Sequence, residues 1–160
     1  MEVRMDGRKA IITGGSAGLG MAMAMEFNRS GADVAIVGRR KEALDVAKEK
    51  IQSVGGGKII AIAADIRQTH DCEQVFNKVV EELGAIDILV NNAGTSQRGG
   101  FLEISDELWQ DDLDLKLFAA VRLSRLVIPG MRERRWGRII NVLNVGAKTP
   151  QSEGAPTAVS

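Results

Sequence analysis

No tyrosine occurs among the 160 residues, so the chain has no phenol to offer as an acid or base. The single cysteine, Cys72, excludes an intrachain disulfide and fits a reducing cytoplasm, the expected location. His70 is the one histidine, and one histidine with one cysteine makes no metal site; no metal is expected. With three prolines there is no proline-rich linker. Charge of neither sign dominates: 21 Lys and Arg balance 21 Asp and Glu, which argues against nucleic acid or an anionic membrane surface as partner. No apolar run approaches the ~20 residues that a membrane helix needs. Glu2, Arg4, Asp6, Arg8 and Lys9 place charge before the first apolar run, unlike a secretory signal.

What is present is an alternation. Short runs rich in Val and Ile fall at Ala10 to Thr13, Val34 to Val37, Ile59 to Ala63, Ile86 to Val90 and Ile139 to Leu143, each suited to a strand buried on both faces. Between them apolar residues recur at helical spacing. Leu44, Ala47, Ile51 and Val54 mark one helix, ended by Gly55 to Gly57. Val75, Phe76, Val79, Val80 and Leu83 mark another, with Thr69 as a candidate N-cap and Gly84 at the stop. The longest helix is predicted from Ser105, with Asp106, Glu107, Asp111, Asp112 and Asp114 crowding its first half and Arg132, Arg134 and Arg135 its end, a polarity that complements the helix dipole. Trp109 and Trp136 are expected to pack at the two ends of that helix, and Met21, Met23 and Met25 to fill core gaps. The fold class that follows is α/β, a doubly wound parallel sheet, as one domain over residues 1–160. From Gly146 to Ser160 the composition is that of a loop, with Pro150, Ser152, Gly154 and Pro156.

Thr13-Gly14-Gly15-Ser16-Ala17-Gly18-Leu19-Gly20 joins the first strand to the first helix. Bare backbone at a helix N-terminus cradles a pyrophosphate: Gly14 permits the tight turn, Gly18 lets main-chain N–H groups approach, and Gly20 lets helix and strand pack closely. The spacing is Gly-x-x-x-Gly-x-Gly rather than Gly-x-Gly-x-x-Gly. At the end of the second strand stands Val37-Gly38-Arg39-Arg40, where a carboxylate would bond the ribose 2′-hydroxyl of NAD. Two guanidinium groups instead suit a 2′-phosphate, so NADP(H) is expected over NAD(H).

These segments resemble the short-chain dehydrogenase/reductase family. Thr13 to Gly20 is similar to its cofactor turn, Asn91-Asn92-Ala93-Gly94 to the signature that steadies the central sheet and lines the cofactor, and Asp65-Ile66 to the pair that contacts adenine. Pro129-Gly130-Met131 and Gly137 to Asn141 resemble the end of its long interface helix and its fifth strand. The resemblance implies a Rossmann-like domain that binds NADP(H) through Thr13, Gly14, Ser16, Ala17, Gly18, Leu19, Gly20, Arg39, Arg40, Asp65, Ile66, Asn91, Asn92, Ala93 and Gly94. It also implies a small-molecule carbonyl or alcohol substrate and a homo-oligomer built through the helix near 105–135.

The family's catalytic set of Asn, Ser, Tyr and Lys is not reproduced. The relay asparagine falls on Lys116, the serine on Asn144 and the tyrosine on Thr157, while the lysine would fall beyond Ser160. A threonine hydroxyl cannot replace a phenol as a tunable acid. Asn144 can still donate to a carbonyl, and Lys116 can act as a cation near substrate or as a solvated lysine. The resemblance further implies that the family's later helix and strands are missing, leaving apolar surface bare. Ser96 and Arg98 are candidate substrate contacts, with a plain loop the stronger reading. Three functions stay open: a short-chain oxidoreductase, incomplete or divergent; a non-catalytic nucleotide-binding module; and an inactive fragment.

Overall fold

Five parallel strands form one sheet in the computed structural model, in the order β3-β2-β1-β4-β5. The strands are β1 (Lys9–Thr13), β2 (Asp33–Gly38), β3 (Ile59–Ala63), β4 (Ile88–Asn91) and β5 (Arg138–Asn141). The helices are α1 (Gly18–Arg29), α2 (Lys41–Gln52), α3 (Thr69–Leu83), α4 (Asp106–Leu113), α5 (Ala119–Glu133) and the short α6 (Ala155–Val159), with a π turn over Asp114–Phe118 that makes α4 and α5 one continuous helix. The structure describes residues 3–96, 99–149 and 154–159. Glu2, Arg98, Pro150, Ser152 and Ser160, all named above, lie outside them.

From β1 to β4 the sheet is covered on both sides, which is why those strands read as continuous apolar runs. On one face Ile11, Ala35, Val37, Ile60 and Leu89 pack against Val75, Val79, Leu123 and Val127 of α3 and α5. On the other, Ile12, Val34, Ile36 and Val90 pack against Ala24 of α1 and Leu44, Ala47 and Ile51 of α2, with Met21, Met23 and Met25 filling in at the margin. From β1 the chain winds outward through β2 and β3, then crosses back to β4 and β5. The winding therefore reverses between β1 and β4, and the carboxyl ends of those strands open a crevice there, where ligands of doubly wound folds bind.

Two expectations need correction. β5 is exposed on both faces, Ile139 at 37% and Ile140 at 43%, because it is the sheet edge and no described helix covers it. Thr69 is the first helical residue of α3, not its cap; Gln68 takes the cap position. Gly84 closes that helix with a left-handed backbone (φ 82°), a conformation that costs glycine nothing. Arg134 does more than complement a dipole: it donates to the Ile86 carbonyl at 2.6 Å and lies 3.6 Å from the Asp87 carboxylate, tying the helix end to the start of β4. Trp136, beyond the helix end, carries Arg8 on its ring at 3.6 Å and Arg138 at 5.0 Å, a cation–π arrangement. Trp109 meets Phe101 edge-on at 6.4 Å.

Candidate active site

Two cavities share a wall at the carboxyl ends of β1 and β4. The first, about 580 Å³, runs along the glycine turn to the end of β2. Gly14, Ser16, Ala17, Gly18, Leu19, Gly20, Arg39, Arg40, Asp65, Ile66, Asn92, Ala93 and Gly94 line it, thirteen of the fifteen residues expected to bind cofactor. Thr13 and Asn91 line the second cavity, of about 410 Å³.

The turn has the form a phosphate cradle requires. Gly14 and Gly18 adopt positive φ, 67° and 54°. A Cβ on Gly18 would meet nothing within 4 Å, so its backbone faces open space. A Cβ on Gly20 would stand 2.2 Å from the Gly14 carbonyl oxygen, so close packing forbids a side chain there. Gly15, not singled out by the sequence, is equally constrained: its Cβ would lie 2.7 Å from Ile36. α1 opens after Ala17 with no side-chain cap and no acidic residue in its first turn, so its positive end is turned to the cavity uncompensated.

Thr13 holds the opposite wall. Its buried hydroxyl accepts from the Asn92 and Ala93 N–H groups, each at 2.9 Å, and donates to the Val90 carbonyl at 3.3 Å. Asn92 returns a bond from Nδ2 to the Thr13 carbonyl at 2.9 Å. Asn91 Nδ2 donates to Asn141 Oδ1 at 2.8 Å, linking β4 to β5. Asn91 is thereby fixed to β5, and Asn92 and Ala93 to β1.

Arg39 and Arg40 are exposed at the far end of the first cavity, and among the described residues neither has an ion-pair partner. Asp65, facing them, is engaged elsewhere. Arg67 grips it with Nη2 to Oδ2 at 2.6 Å and Nε at 3.0 and 3.1 Å, and this guanidinium holds the Asp65 carboxyl below the usual carboxylate range against the opposing effect of burial. Arg67 carries no motif of its own, and its spacing of two from Asp65 is the one signal for the pair in the sequence.

The second cavity collects the three residues expected at catalytic positions, Lys116, Asn144 and Thr157, together with Ser96. Lys116 Nζ lies 2.9 Å from Asp112 Oδ2 and 3.4 Å from Thr157 Oγ1. The Asp112 side chain is wholly buried and that of Lys116 nearly so, at 14% exposure. Asp112 belongs to the acidic run read above as dipole compensation. Its spacing of four from Lys116 was the available signal for a pair. Two more of that run are paired, Asp111 with Arg67 at 3.2 Å and Asp114 with Arg122 at 3.0 Å. The Asn144 side chain accepts from the Gly146 N–H at 2.7 Å. Cys72 is buried and its thiol is pushed up to about 11 by desolvation, so it stays protonated and inert. His70 is exposed and meets only Gln74 among the bonds described. Among the described residues no group of three or more His, Cys, Asp or Glu could hold a metal, and no helix is long and apolar enough to cross a membrane.

The sequence profile described as short chain dehydrogenase matches residues 8–158. The chain belongs to the short-chain dehydrogenase family. It is 38% identical over 151 residues to 17-beta-hydroxysteroid dehydrogenase type 3 of Danio rerio, covering 90% of this chain and 48% of that protein. It is 34% identical over 150 residues to an uncharacterized oxidoreductase of Bacillus subtilis, covering 94% and 56%. Among solved structures, L-sorbose reductase from Gluconobacter frateurii, complexed with NADPH and L-sorbose, superposes with a TM-score of 0.95 at 35% identity over 99% of this chain and 60% of that one. NAD⁺-bound xylitol dehydrogenase, at 21% identity and a TM-score of 0.91, shares the fold. The chain thus spans about half the length of the curated relatives it matches.

Proposed function

We propose that this chain forms the NADP(H)-binding part of a short-chain oxidoreductase acting on a carbonyl or alcohol. The observation that carries this reading is the first cavity: a glycine cradle at the start of α1 at one end, and two exposed arginines at the other, neither held in a salt bridge among the described residues. A dinucleotide fits that arrangement. Gly14 to Gly20 would take the pyrophosphate, Arg39 and Arg40 the 2′-phosphate, Asp65 and Ile66 the adenine side, and Asn91 to Gly94 the nicotinamide side. Bound there, the nicotinamide would supply or accept a hydride. The second cavity opens beside Asn92 to Thr95, residues it shares with the first, and would take the substrate, with Asn144 and Thr157 as polar contacts. Leu117 and Phe118, exposed on the π turn, suit the expected homo-oligomer through the long helix.

The test is the cofactor preference and its removal. Fluorescence titration at one salt concentration is expected to give tighter binding of NADPH than NADH. Arg39→Ala with Arg40→Ala should weaken NADPH about 10- to 150-fold, the worth of a charged hydrogen bond of roughly 1.5–3 kcal/mol, and leave NADH unchanged. Equal affinities in the unaltered chain would reject the assignment.

A further inference from the structure

We propose that Lys116 is the proton donor to the substrate oxygen, aimed by its pairing with Asp112; this rests on the dinucleotide reading above. The substrate class it implies is a neutral ketone or aldehyde, reduced to the alcohol.

Three observations converge on one atom. Lys116 is the sole ionisable side chain among the described residues that line the second cavity. Its ammonium is fixed from behind by a carboxylate withdrawn entirely from water, with Oδ2 at 2.9 Å, while the Thr95 hydroxyl stands 3.5 Å from the other carboxylate oxygen. Its stem also lies at the junction of the two cavities, where a Cβ on Gly94 would meet Lys116 Cε at 3.7 Å. A lysine kept only for packing has no need of a buried counter-charge, and one kept only for solubility would not be 14% exposed.

The chemistry needs an acid, because the chain has no tyrosine and the hydroxyl at the corresponding place, Thr157, is too weak. An alkylammonium and a phenol have nearly the same reference acidity, about 10.4 and 10. The hydroxyl of Thr157, 3.4 Å from Nζ, marks the side of the ammonium that faces the cavity. In the reduction the carbonyl carbon gains the hydride that NADPH gives up, and the π pair of C=O moves to oxygen. That oxygen takes a proton from Nζ as one N–H bond breaks and one O–H bond forms. The cofactor leaves as NADP⁺, and the neutral amine regains its proton from solvent. Because Asp112 already neutralises the ammonium, the pair carries no net charge, and a neutral carbonyl suits it better than a carboxylate substrate.

The discriminating variant is Lys116→Arg. Arginine keeps the charge and the pairing with Asp112 but does not give up its proton in proteins. A panel of ketones and aldehydes would be assayed by NADPH oxidation with the protein, with K116R, and with the double variant D112N/K116M, which removes both charges together and leaves no buried carboxylate unpaired. Both variants are expected to bind NADPH within threefold of the parent and to lose turnover on the order of 10²- to 10⁴-fold. A second readout needs no turnover. A ¹³C-carbonyl ketone from the panel, bound with NADP⁺, should show an infrared C=O stretch lowered in the parent and in K116R but not in D112N/K116M. Parent-like turnover in K116R, an unshifted carbonyl in the parent, or NADPH binding with no carbonyl reduced would overturn the assignment and leave the cofactor reading standing. Failure to bind either dinucleotide would sink the cofactor reading first.

Discussion

Replacing Thr13 by valine keeps the shape of the side chain and removes the oxygen on which the end of β1 and the strip after β4 converge. Two main-chain donors, Asn92 N–H and Ala93 N–H, lose their acceptor at 2.9 Å, and the Val90 carbonyl loses a donor. An unsatisfied buried donor costs about 1–3 kcal/mol. Thr13 is 1% exposed, but Asn92 and Ala93 are half-buried, so water recovers part of the loss. The low end of that range for each donor gives a destabilisation of about 2 kcal/mol. Thr13→Ser keeps the oxygen and loses only a buried methyl, worth about 1 kcal/mol. Urea unfolding followed by circular dichroism should place the midpoints in the order parent, T13S, T13V, with the slope unchanged. NADPH affinity should fall in T13V and hold in T13S, since Asn92 to Gly94 line the cofactor wall. A valine variant within about 0.5 kcal/mol of the parent would refute the view that this hydroxyl organises the site.

Gly20→Ala should yield little folded protein, because its methyl would sit 2.2 Å from the Gly14 carbonyl, whereas Gly56→Ala, with nothing within 4 Å, should behave as the parent; equal thermal midpoints would contradict the packing argument. A thiol reagent at pH 8 should label Cys72 only at the rate of global opening, given its burial and a thiol near 11; rapid labelling of the native protein would contradict this. Arg67→Met should cost at most about 1 kcal/mol at neutral pH, the pair being about a quarter exposed. Since Arg67 lowers the folded-state value of Asp65, its stabilisation is present above the unfolded carboxylate range and lost as pH falls through the folded one, so parent and variant midpoints should converge in acid and stay apart at pH 7.

Much of this was legible in the chain itself. The runs at Ala10, Val34 and Ile59 read as strands because each is buried on both faces, leaving no polar alternation to confuse. The run at Ile139 looks the same and is exposed, because apolar content does not report whether a sheet continues past a strand. The glycine turn was legible by position, but the contact of Gly15 with Ile36 was not, since a glycine that faces a ligand and one that faces a neighbour look alike in sequence. Asp112 is one of five carboxylates on one helix half; its spacing of four from Lys116 hints at a pair, and its burial sets it apart from its neighbours. The π turn has no sequence period of its own and came only from the backbone.

That π turn makes spacing along the helix a functional quantity in itself. Five residues, Asp114–Phe118, are wound wider than an α-helix, which accommodates one residue more than regular geometry would. A deletion of any one of them could relax the segment to an ordinary helix without a cavity or a broken hydrogen-bond ladder. An insertion there, which the turn has no second bulge to absorb, would instead turn α4 by about 100° relative to α5, one residue's share of a helical turn. Asp112, before the turn, would then leave the wall that Ala119 and Leu123, after it, hold against the sheet. Along this helix, insertions should therefore be better borne outside Asp112 to Leu123 than within, while a single deletion inside the π turn that spares Lys116 should be tolerated.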